Sequence, residues 1–122
     1  LLFGKNCIST SAVTVSREYL LKVGGFAEKY EAIGVEDYHL WLKLAKAGCN
    51  MEFLSQVLGC YRVHGTSQSR NLLNQMKSEI WVVEDHFKSY PIMGLQNKIL
   101  RMKRIGRIYL STFVRYILKI IS

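Results

Sequence analysis

Glu36-Asp37-Tyr38-His39-Leu40-Trp41-Leu42-Lys43-Leu44-Ala45-Lys46-Ala47-Gly48 is the stretch on which the fold reading turns. Leu40, Trp41, Leu44 and Ala45 recur at helical spacing, which predicts a helix from about Glu36 to Ala47, closed by Gly48. Asp37 precedes Leu40, Trp41 and Leu44 by three, four and seven residues, so it shares their face. A carboxylate in a first helical turn also complements the helix dipole, which by itself accounts for such an acid. Glu84-Asp85 repeats the dipeptide inside a longer helical pattern, so the pair alone carries little.

Working outward, Cys7 to Val15 is rich in Ser, Thr and Val and reads as a strand. Ser16 is placed to cap a short helix through Val23, which Gly24-Gly25 ends because glycine takes the left-handed cap without steric cost. Residues 26–35 read as a loop. Residues 51–54 and 57–63 read as extended segments, with Arg62 and His64 on one side of the second. After a turn at Gly65 to Ser69, with Ser67 and Ser69 as candidate caps, a long helix is expected to run to about Tyr90, where Pro91 stops it. A last helix is expected over roughly 95–121. The fold class expected is therefore α/β: a partial mixed sheet with flanking helices, then a C-terminal amphipathic helix. Residues 1–93 form the expected main domain and 94–122 a basic helical tail.

Hydrophobic residues make up 49% of the 122 and charged residues 21%, a globular rather than disordered composition. The net charge is +8, but residues 1–94 carry only +1 while 95–122 carry +7 with no acid. A near-neutral body argues against a nucleic-acid partner. Cys7, Cys49 and Cys60 are odd in number and form no C-x-x-C pair, which points away from a disulfide framework or zinc site and towards a reducing compartment.

Arg62 and His64 beside a glycine-containing turn suit a diphosphate or its metal, and Ser67 at a helix start adds donors for an anion. His64 reads equally as a solvent or capping histidine. Tyr38 and Trp41 could stack on a sugar, or Trp41 could be core.

Three blocks, Gly24-Gly25-Phe26, Glu36 to Ala45, and Tyr61-Arg62-Val63-His64-Gly65-Thr66-Ser67, together resemble family 2 glycosyltransferases of the GT-A fold, over about residues 5–70 and in that family's order. The resemblance implies a C-terminal, acceptor-side portion of an inverting enzyme that moves a sugar from a nucleotide-sugar donor to a saccharide or lipid-linked acceptor in cell-surface polysaccharide synthesis. It makes Asp37 the general base, with Glu36 in support. It puts His64, as a metal contact, with Arg62 and Ser67 near the donor diphosphate, and it implies a divalent cation, Mg or Mn, in the full-length enzyme. The family's acid after Gly-Gly-Phe is Ala27 here with Glu28 next, and Glu28 joins Tyr38 and Trp41 as acceptor contacts. Asp37 and Asp85 are the only aspartates, so no Asp-x-Asp metal motif exists in these 122 residues. They are expected to lack most of a donor site and to show no transfer on their own. The alternative is a non-catalytic carbohydrate-binding or membrane-surface module.

The tail pattern sets Leu95, Ile99, Met102, Tyr109, Phe113, Tyr116 and Ile120 along one stripe and most of its arginines on the other side. It suits an anionic membrane surface, with arginines at phosphates, and so a cytoplasmic protein at the inner face of the membrane. A half-sheet with an uncovered edge would also invite self-association.

Overall fold

The computed structural model describes residues 6–60, 71–89 and 94–121. Four α-helices organise them: α1 Arg17–Lys22, α2 Glu36–Lys46, α3 Leu72–Lys88 and α4 Leu95–Ile121. Short 3-10 turns lie at Thr10–Ala12 and Tyr30–Ala32.

The helix ends follow local chemistry. Gly24 and Gly48 adopt φ of +74° and +79° just past α1 and α2. Behind them Gly25 N–H donates to Leu20 O (2.9 Å) and Cys49 N–H to Leu44 O (3.1 Å), the six-to-one bond of a Schellman cap. Helix α3 starts on Asn71, whose side chain accepts from Asn74 N–H. The serines expected to cap it, Ser67 and Ser69, lie outside the described residues, as do Tyr61, Arg62 and His64.

Helix α2 is the centre of the structure. It buries six side chains, far more than one stripe, while Ala45 is exposed. Leu40, Trp41 and Leu44 pack against Ile8, Val13, Val15 and α1. On another face Tyr38 and Leu42 join Val35 and Val82 of α3. Beyond that, Val83 and Phe87 of α3 meet Ile105 and Ile108 of α4. The order in space is thus N-terminal segment, α2, α3, α4.

The expected α/β mixed sheet is overturned: no strand occurs among the described residues, which are helical or irregular. Strand propensity is realised only when a partner strand supplies the ladder hydrogen bonds. Cys7 to Val15 instead lies against a helix. Ala12 N–H closes a turn onto Ser9 O, and the Ser9 and Ser11 hydroxyls bond each other at 3.0 Å. Short hydroxyl side chains offer the backbone this local alternative to a ladder. Residues 51–60 are exposed throughout, with Phe53 91% and Val57 95% accessible. The rest of the expected second strand, 61–63, lies outside the described residues.

Candidate functional site

Asp37 occupies the first turn of α2, half-buried, on the side that meets the N-terminal segment. Asn6 Nδ2 donates to its Oδ1 and Thr10 Oγ1 to its Oδ2, each at 3.2 Å. Tyr38 N–H donates to Oδ1 at 2.6 Å. The residue before the helix is Val35, which provides no side-chain cap, so a carboxylate at this end takes up a backbone donor left open. Asn6 Oδ1 in turn accepts from Ile8 N–H, and Ile8 O accepts from Trp41 Nε1 at 3.3 Å. Asp37 and Trp41, one turn apart, therefore grip a single three-residue stretch.

The other candidates take varied positions. Glu36 opens α2 and is half-buried, and Glu28 is exposed in the loop before it. Trp41 and Tyr38 are buried, at 3% and 1% exposure. Burial raises the Tyr38 hydroxyl above its usual pKa, and its hydrogen bond to Arg104 partly opposes this. Both rings have core positions that support the turn carrying Asp37. His64, Arg62 and Ser67 lie outside the described residues.

Two of the sequence blocks meet in space. Lys43 Nζ, on α2, donates to Gly25 O at 3.0 Å, so the glycine pair that ends α1 is tied to the helix that begins with Glu36-Asp37.

The far side of α2 holds a second polar group that sequence spacing did not reveal. His39 Nε2 is 3.0 Å from Asp85 Oδ2, and the ring lies 5.1 Å from the Trp81 ring. Buried Nδ1 has no hydrogen-bond partner among the described residues. Lys43, Lys46 and His86 join this pair around a cavity of about 360 Å³ between α2 and α3. Burial is the largest cause of the lowered His86 and Lys43 pKa values. The charges of Lys46 and His39 also lower that of His86, while Asp85 raises both. Asp85 lies 46 residues beyond His39, so nothing local in the sequence joins them.

Among the described residues no group of three or more His, Cys, Asp or Glu could hold a metal ion. Asp37 is surrounded by donors, an arrangement for accepting hydrogen bonds rather than ligating a cation. His64, the residue that the resemblance places at the Mg or Mn ion of the full-length enzyme, lies outside the described residues.

A family model described as the N-terminal domain of galactosyltransferase matches residues 3–66, just over half the chain. That span contains Asn6, Thr10, the glycine pair and all of α2. No curated protein matches the chain, and no solved structure does.

Proposed function

The chain belongs to the galactosyltransferase N-terminal-domain family, and on the sequence resemblance and the setting of Asp37 we propose that it supplies the acceptor-activating part of an inverting, family 2-type transfer, with Asp37 as base. Family membership makes this a glycosyltransferase kind of domain. Inversion, the acceptor-side role and the identity of the base are our reading. The family's description makes a nucleotide-activated galactose the first donor to try.

One observation carries the assignment. Asp37 is a half-buried carboxylate fixed by three donors from the segment 6–10 and its own helix, within the matched span. A base must be held still and must retain an accessible lone pair. Oδ2 meets Thr10 in exposed surroundings, so that oxygen borders solvent. Asp37 would accept the proton of an acceptor hydroxyl as that oxygen attacks the anomeric carbon. The bond from that carbon to the diphosphate breaks, its electron pair leaves with the nucleotide, and the configuration inverts. Glu36, adjacent to Asp37, is half-buried, and Glu28 in the preceding loop is exposed, so both can offer a carboxylate to acceptor hydroxyls.

In the enzyme that contains this chain, Asp37→Asn should lower transfer by about 10²–10⁴-fold, with donor affinity unchanged. Full turnover in Asp37→Asn would overturn the assignment. It would favour the alternative, a carbohydrate-binding or membrane-surface module in which Asp37 only clamps the N-terminal segment.

A further inference from the structure

Three arginines of helix α4, Arg101, Arg104 and Arg115, turn towards α3, while Arg107 is exposed. Arg101 donates twice to Glu84 Oε1 of α3, at 2.6 and 3.1 Å. Arg104 is buried at 7% exposure, 3.6 Å from Glu79, and Arg115 reaches Gln75. Ile105 and Ile108 add apolar contact on this side. The opposite side is left outward. Met102, Tyr109, Phe113, Ile117 and Ile120 lie along it, exposed over 38–73% of their surfaces. Their spacing is that of one helical face.

A soluble helix normally docks by its apolar face. Here two carboxylates on α3 hold the cationic face instead, and the apolar face runs much of a helix roughly 40 Å long. No helix among the described residues is long and apolar enough to cross a membrane. The occupant must therefore lie alongside the helix.

Charge selects among occupants. Residues 95–122 contain no acid. A second copy laid against this face would bring Lys98 and Lys103 against their own kind, which is repulsive. An anionic surface complements them. Tyr109 and Tyr116 carry apolar rings with polar tips, the form that suits a headgroup layer.

We propose that the outward face of α4 embeds in the interface of an anionic lipid bilayer, with Lys98 and Lys103 at the lipid phosphates. Of the arginines expected from sequence to reach those phosphates, Arg101, Arg104 and Arg115 contact α3 instead. The inference stands apart from the transferase reading, because it uses none of the residues around Asp37.

Sedimentation of the full chain with phosphatidylcholine vesicles, with and without phosphatidylglycerol, tests this. The chain should sediment with the anionic vesicles, more strongly at low salt. Phe113→Glu/Ile117→Glu should abolish that binding while thermal unfolding and helicity stay as in the parent, since both side chains point outward. Lys98→Glu/Lys103→Glu should weaken the partition onto anionic vesicles by about tenfold or more and leave that onto neutral vesicles unchanged. Three results overturn the proposal: no sedimentation with either vesicle, binding that survives Phe113→Glu/Ile117→Glu, or a dimer in analytical ultracentrifugation that the same double substitution dissociates.

Discussion

Asp37 and Trp41, one turn apart on α2, hold two ends of the same short segment. Asp37 Oδ1 accepts from Asn6 Nδ2, and Trp41 Nε1 donates to Ile8 O. The candidate base is thus oriented by a segment that the core tryptophan also anchors. Asn6 links the two through its own bond to Ile8 N–H. Rigid placement of a carboxylate by surrounding donors is what proton abstraction in a defined direction requires.

That arrangement separates stability from chemistry at Trp41. Trp41→Phe keeps an aromatic ring in the cluster with Leu40 and Leu44 but removes the donor to Ile8 O. A net cost of about 1 kcal/mol is expected for a lost hydrogen bond, read as a lower urea midpoint. The ring is 3% exposed, so the acceptor KM should not change in the enzyme containing this chain. A raised acceptor KM at unchanged stability would return Trp41 to a sugar-stacking role.

At Asn6 the expectation differs. Asn6→Ala removes the donor to Asp37 and the acceptor for Ile8 N–H together. It should cost about 1–2 kcal/mol and lower turnover through misplacement of the carboxylate. Its pH–rate profile should keep the parent's shape, because the base itself is still present. A profile whose acid limb disappears would mean that Asn6 does more than position Asp37.

How much of this was legible in the sequence depended on range. The ends of α1 and α2 were readable at Gly24 and Gly48, because a left-handed cap is a property of a few consecutive residues. Helix α4 could be read from periodicity, and it spans Leu95–Ile121. Strands were not readable in the same way. Val13 and Val15 alternate as a strand would, but what lies beside them is α2 rather than another strand. Asn6 and Asp37 are 31 residues apart, and His39 and Asp85 46, so neither pair leaves a local mark. Amphipathicity showed that α4 has two faces. Which face docks was settled by Glu79 and Glu84 on another helix.

The two ion pairs between α3 and α4 should differ in worth. Arg104 is 7% exposed and Glu79 19%, whereas Arg101 and Glu84 are 36% and 29% exposed. Glu79→Gln leaves a buried guanidinium without its counter-charge, and the expected cost is about 3 kcal/mol. Glu84→Gln strips a partner from a better solvated arginine and should cost about 1 kcal/mol or less. Denaturant unfolding of both variants checks the order. Equal losses would mean that Tyr38, which also hydrogen-bonds Arg104, satisfies that cation without Glu79.

Stability should fall on mild acidification, through His86. Burial first, then the charges of Lys46 and His39, hold its folded pKa below the ordinary 6.5, with Asp85 opposing. Between the lowered value and 6.5 the unfolded chain binds the proton more readily than the folded one. The stability that neutral His86 contributes is therefore complete above pH 6.5 and is lost as pH falls through the folded pKa. The measurement is the urea midpoint at pH 7.5 and at about pH 5 for the parent and His86→Gln. Glutamine keeps a polar side chain at the cavity edge but cannot take up the proton. The parent should lose more stability than the variant over this interval. A variant that loses as much as the parent would place the acid sensitivity elsewhere in the chain.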